Sequence, residues 1–424
     1  MSMFSAIRSA WALLFGLALL MLGNGLQGTL LGVRASIEGF STQTTGFVMT
    51  GYYVGFLLGS VMGPQLVKNV GHIRVFAALA SILSAAMLLH SIFVEPVTWF
   101  AIRVMNGFAV AGLYIVVESW LNDAATNRTR GQLLSVYMVI MLGGMAAGQL
   151  LLNVANPAGF ELFILVSVLV SVSLVPISLS VTRAPKFETP DHVSWRTMYE
   201  NSPLGVVGCF IVGIAQGALF GMGAVYANEI GMGVADVSLF MAMALAGGVA
   251  LQWPVGHLSD IFDRRLIITV VTILASIVAL VGALVGEQST PILLAAIFVF
   301  GGLCFPLYSL CIAHSNDHLQ PEQMVAASAT LVLVLGIGAS MGPALAAALM
   351  SALGPAGFFW CLCGVHGAIG VFALYRMTCR AAVPVDEQTT YQSMPVRATP
   401  MAASITQSTI RDHRDRDLAR WSNM

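Results

Sequence analysis

Twelve stretches of this chain are each long and apolar enough to cross a lipid bilayer, and little lies between them. A helix needs about 20 apolar residues to span the hydrocarbon core. Such stretches run approximately over residues 10–33, 44–67, 73–94, 98–121, 131–153, 160–181, 203–225, 237–257, 266–286, 291–314, 324–352 and 356–377. Asp, Glu, Lys and Arg make up only 9% of the chain, against about 25% in water-soluble domains, so nearly all of it belongs in lipid. The sequence therefore predicts an all-α polytopic membrane protein with a bilayer around it. The first stretch is too long and too glycine-rich for a cleaved signal peptide and reads as a permanent helix. A net charge of −1 with no basic stripe gives no electrostatic ground for nucleic acid as a partner.

The same membrane-embedded phrases occur twice. Gln27-Gly28-Thr29-Leu30-Leu31-Gly32 returns as Gln216-Gly217-Ala218-Leu219-Phe220-Gly221, and Leu113-Tyr114 followed by Asn122-Asp123 returns as Leu307-Tyr308 followed by Asn316-Asp317. The chain is thus read as two homologous halves, residues 1–181 and 203–378, joined by a linker over 182–202 and followed by a tail over 379–424. Parallel repeats in a helical membrane protein point to a transporter architecture whose site lies between the halves near mid-membrane.

Lysine and arginine concentrate in cytoplasmic loops. With the N-terminus inside, all of the 19 basic residues except Arg34 and Arg103 fall in inner segments, so both termini are expected in the cytoplasm. The linker carries Pro185 and Pro190 ahead of Trp195-Arg196-Thr197-Met198-Tyr199, which predicts a short amphipathic helix on the inner membrane surface. The tail turns polar and its charges alternate in sign from Arg411 to Asp417, so a solvated, partly disordered extension is expected there.

The loop between the eighth and ninth stretches reads Gly256-His257-Leu258-Ser259-Asp260-Ile261-Phe262-Asp263-Arg264-Arg265. It resembles the G-x-L-a-D-r-x-G-R-R loop of the major facilitator superfamily. The first half has a degenerate copy, Gly63 to Arg74, with Val67 opposite Asp260. Over roughly residues 8 to 378 the chain resembles that superfamily, whose fold is two six-helix bundles related by pseudo-twofold symmetry. Asn24 to Arg34, and Val117-Glu118-Ser119-Trp120-Leu121-Asn122 followed by Arg130-Gly131, are similar to its bacterial YcaD-like branch. The resemblance implies an inner-membrane carrier working by alternating access. It also implies an inner gate in which Asp260 caps the fifth helix near Arg130, Arg264 pairs with Asp317 and Lys68 pairs with Asp123.

The fourth stretch holds Arg103 in Phe100-Ala101-Ile102-Arg103-Val104-Met105-Asn106-Gly107, which resembles the superfamily's R-x-x-q-G motif. An arginine within a span must face protein or water. Asn106, Tyr114 and Glu118 fall within about 60° of it on one helical stripe, with Glu118 about 22 Å further along the axis. Arg103 and Glu118 are therefore candidates for proton coupling at different depths; for Glu118 a hydrated or loop-paired carboxylate is the alternative. The repeat replaces the pair by Ile297 and Ile312, which confines this chemistry to one half.

In the superfamily the first, fourth, seventh and tenth helices line the central cavity. That makes Asn24, Gln27, Asn106, Tyr114, Gln216 and Tyr308 candidate cavity residues, able to hydrogen-bond a solute without a fixed charge; interhelical hydrogen bonds are the alternative reading. Such walls suit a small neutral, zwitterionic or amphipathic solute, and Arg103 would admit an anion. Gln149 stands where superfamily antiporters carry the proline of a GxxxGP-type motif, so direction is left open. The six cysteines and His90, His314 and His366 lack ligand spacing, so no metal and no cofactor are expected, and no catalytic motif marks an enzyme. The expectation is a monomeric secondary transporter of a small organic solute, coupled to protons; a uniporter or a non-transporting sensor of the same fold are the alternatives.

Overall fold

The computed structural model describes residues 3–124, 129–179, 193–320, 323–395, 397 and 399–402. All twelve expected spans are helices of membrane-crossing length and composition. The first six are α1 (Met3–Ile37), α2 (Thr42–Val70), α3 (His72–Ile92), α4 (Pro96–Ala124), α5 (Arg130–Leu150) and α6 (Glu161–Ser178). After α7 (Trp195–Asn201) the second six follow as α8 (Pro203–Glu229), α9 (Val234–Ile261), α10 (Arg264–Val285), α11 (Thr290–Asn316), α12 (Met324–Leu353) and α13 (Gly357–Cys379). Several helices run a turn past the apolar run because polar residues complete their ends. Ser41 caps α2 by accepting the Thr44 amide at 3.1 Å, and Asp263 caps α10 by accepting the Arg265 amide at 2.9 Å. In α7 the exposed faces belong to Trp195 and Tyr199, while Met198 turns inward.

Twelve alternating crossings put the α1 start, α7 and the α13 end on one side, here the linker face; the opposite side is the far face. Within each half, glycines let helices touch at the backbone. A Cβ on Gly55 would run into the Val104 carbonyl, so α2 lies directly on α4; in the second half Gly247 faces the Phe298 carbonyl in the same way, setting α9 on α11. In lipid, such small-residue contacts supply van der Waals packing that apolar surface alone cannot.

Between the halves, direct contacts gather toward the far face. Gly46 of α2 packs against Pro343 and Ala347 of α12, and Gly32 of α1 against Ala224 and Val225 of α8. Thr42 donates to Glu229 at 2.6 Å, and Asn153 donates to Ser238 at 2.8 Å. Toward the linker face the halves part. A cavity of about 360 Å³ separates Ser135 and Met138 of α5 from Gln252 and Gly256 of α9.

The tail departs from the solvated extension expected of residues 379–424. Residues 380–387 are mostly exposed, but beyond them the segment enters the cleft, where Met394, Thr399, Met401 and Ala402 are almost fully covered. Composition explains the difference. Residues 381–402 hold only Asp386, Glu387 and Arg397 as charges, and the alternating-charge run that suggested solvation begins at Arg411. That run lies outside the described residues.

Candidate functional site

The centre of the molecule is where α1, α2, α4, α8 and α11 face one another. Asn24 of α1 donates its amide to the Tyr114 hydroxyl of α4 at 2.8 Å. Gln27, one turn further along α1, is buried with neither side-chain nitrogen nor oxygen hydrogen-bonded. Its repeat partner Gln216 on α8 lines a cavity of about 30 Å³ beside Tyr52, Tyr53 and Phe220, and its amide nitrogen also has no partner. Tyr308, the repeat partner of Tyr114, keeps a buried hydroxyl without a partner, whereas Asn106, expected to line the cavity, turns to α3, its amide 3.9 Å from the Met87 sulfur. An unsatisfied buried polar group costs about 1–3 kcal/mol, so three such side chains on the facing helices α1, α8 and α11 are not incidental packing. Gln149 sits elsewhere, accepting from Thr29 between α5 and α1.

The two ionisable residues of α4 stand apart, as their spacing requires. Arg103 is 4% exposed; its guanidinium lies 4.6 Å from the Tyr52 ring centroid, and no carboxylate pairs with it among the described residues. Glu118 is fully buried toward the linker face. It accepts from the Tyr137 hydroxyl at 2.7 Å, from the Thr399 hydroxyl and from the Ala402 amide at 3.0 Å.

At the linker-face ends of the second half, Arg264 is 1% exposed and donates to both Asp317 oxygens at 2.7 and 2.6 Å. Asp260 lies 3.5 Å from Arg264 and accepts the Tyr391 amide at 2.7 Å. In this state its partner is thus the tail. The side chain of Arg130, its expected neighbour, lies outside the described residues. Lys68 and Asp123 are both exposed, and no ion pair joins them.

The tail threads these groups in order. Thr389 donates its amide and hydroxyl to Asp317 at 2.8 and 2.7 Å, Tyr391 reaches Asp260, and Met394 donates its amide to Ser309 of α11 at 2.9 Å. Burial pushes the Tyr391 phenol up to about 12, so it stays neutral. Arg397 forms the turn at the deepest point, donating to Asn24 at 3.2 Å and to the Tyr52 hydroxyl at 3.0 Å. Its guanidinium lies 5.1 Å from the Tyr52 ring centroid and 4.8 Å from that of Phe220. From there the chain returns along the first half to Glu118.

Sequence reasoning passed over Tyr52, Tyr53, Phe220 and Arg397. An aromatic residue in an apolar span looks like core, and only the adjacent pair Tyr52-Tyr53 beside Gly51 hinted at a polar edge within α2.

Two pseudo-symmetric six-helix bundles around a central polar cleft define a transporter of the two-bundle class. Residues 13–255 and 206–402 match the sequence profile of the Major Facilitator Superfamily, and the chain belongs to that family. It is 31% identical over 345 residues to the uncharacterized MFS-type transporter YcaD of Escherichia fergusonii, covering 81% of this chain and 89% of that one. Among solved structures it resembles a mutant of the nucleoside transporter NupG, with a TM-score of 0.76 at 11% identity over 87% of this chain and 99% of that one. It also resembles the D-xylose-proton symporter, with a TM-score of 0.68 at 13% identity over 91% and 100% of the two chains. The chain is accordingly a multi-pass membrane transporter and not an enzyme.

Proposed function

We propose that the chain moves a small organic solute across the bacterial inner membrane by alternating access, as a monomer with both termini in the cytoplasm. On this reading the linker face is cytoplasmic and the arrangement is inward-facing: direct contacts seal the far face, and the cleft opens on the other side. The observation that carries the reading is the set of buried, unpartnered polar groups on Gln27, Gln216 and Tyr308. A bound solute supplies their missing hydrogen bonds. Rocking the bundles then exposes the same groups to the other side.

Proton coupling belongs to Glu118, the one buried carboxylate that faces the cleft from α4, with Arg103 as a fixed cation deeper on the same helix. A carboxyl group loads and releases a proton when its surroundings alternate between dry and charged, and opening and closing the linker face does that to Glu118. Proteoliposomes test this. With an imposed pH gradient, the wild-type chain should accumulate its solute, and Glu118→Gln should exchange solute but no longer accumulate it. Wild-type flux that ignores the gradient would remove the coupling and leave facilitated uniport.

A further inference from the structure

Resting on that reading, we propose that the wall around Arg397 is a binding site for organic monocations, and that residues 389–395, 397 and 399–402 are a built-in occupant holding it filled while the linker face is open.

Three features point there. First, the tail is anchored through its backbone: the amides of Thr389, Tyr391, Met394 and Ala402 donate to Asp317, Asp260, Ser309 and Glu118. Those anchors hold the segment whatever side chain stands at position 397. Arg397 is thus the part of the tail that tests the wall. Second, the wall meets its guanidinium with the means by which proteins hold organic cations: the faces of Tyr52 and Phe220, the Asn24 carbonyl and the Tyr52 hydroxyl. Third, no carboxylate pairs with Arg397 among the described residues. The site therefore holds positive charge by ring faces and neutral acceptors, as suits a solute that must leave again. Arg103, 4.6 Å from the same Tyr52 ring, opposes a second charge, which limits the site to monocations and keeps the plug releasable.

The neutral cavity residues alone leave the charge of the solute open; the Arg397 contacts decide it. Only about 30 Å³ remains beside the guanidinium, room for water and not for an organic solute. Transport then requires the tail to withdraw, and tail and solute compete for one place.

The test uses the full chain carrying Arg397→Ala, with propylguanidinium, which repeats the whole arginine side chain, and propylurea, its neutral isostere. A tethered competitor acts at roughly millimolar effective concentration, so propylguanidinium should bind Arg397→Ala about tenfold or more tighter than wild type. Propylurea should not separate the two proteins. Adding Tyr52→Leu to Arg397→Ala should abolish the gain. Should Arg397→Ala melt on purification, Arg397→Ser carries the same test, its short side chain also leaving the place open. Equal propylguanidinium binding to wild type and variant, or propylurea binding as well, overturns the cation site. Counterflow in proteoliposomes separates the two levels: binding without counterflow leaves the site standing and overturns the alternating-access reading.

Discussion

The far face and the linker face are closed by different means. At the far face the bundles close on each other, Gly46 against Pro343 and Ala347 and Gly32 against Ala224 and Val225. At the linker face they stand apart, and the gap is filled by residues of the chain's own tail, pinned at Asp317, Asp260, Ser309 and Glu118. The first seal can be undone only by moving whole bundles. The second is a separable piece, held by a few side chains that mostly belong to the second half. One face therefore reports the conformational state of the protein, and the other reports the state of its tail.

Breaking the linker-face seal at its buried ion pair should have the largest effect. Arg264 and Asp317 are nearly inaccessible, with side chains 1% and 2% exposed. Removing one partner of such a pair costs about 3–5 kcal/mol, because a charge is left buried alone. Asp317→Ala should lower the thermal midpoint strongly and free Thr389 as well, whereas a cysteine placed in the far-face contact should remain protected from alkylation.

The complementary break is Gly46→Leu. Its first side-chain atom already has no room beside Ala347, and overpacking of this kind costs about 1–3 kcal/mol. The expected result is labelling of the centre from the far face with the linker-face anchors intact.

A smaller effect sharpens the contrast. Asp263 caps α10 beside the Arg264–Asp317 pair, and Arg265 next to it holds the Arg380 carbonyl at 2.7 Å where the tail begins. Burial pushes the Asp263 carboxyl up, but hydrogen bonds from Arg265 outweigh this and leave it below its ordinary value of 3.8. A depressed folded-state value stabilises above the ordinary one and is lost as pH falls through the folded one. Asp263→Ala should cost about 1 kcal/mol as a lost cap, and that difference should vanish in strong acid. Thr42→Ala, at the exposed far-face bond to Glu229, should change stability by no more than about 0.5 kcal/mol.

Much of the fold was written in local sequence. Runs of about 20 apolar residues can satisfy their backbones in lipid only within themselves, so each run declared its helix without reference to the others. The repeat then paired Gln27 with Gln216 and Tyr114 with Tyr308, and these residues stand buried at the centre. Two things were not legible. The aromatic faces of Tyr52 and Phe220 have the same letters as core residues, and only their meeting across the two halves makes them a box. The tail was misjudged because its partners, Asp317, Asp260, Ser309, Asn24 and Glu118, are scattered over four helices. A segment held by distant partners has no signature of its own.

Side-specific labelling tests the central claim, that the tail alone closes the linker face. A cysteine at Ser60→Cys, in a chain whose native cysteines are replaced, sits on the wall of the central cavity beside Arg397. In the full chain it should be protected from membrane-impermeant reagents on both sides of proteoliposomes. Removing the residues beyond 388 should expose it from the linker face and leave it protected from the far face. Labelling of the full chain from the linker face at the truncated rate would contradict the account, as would labelling of the truncated chain from the far face.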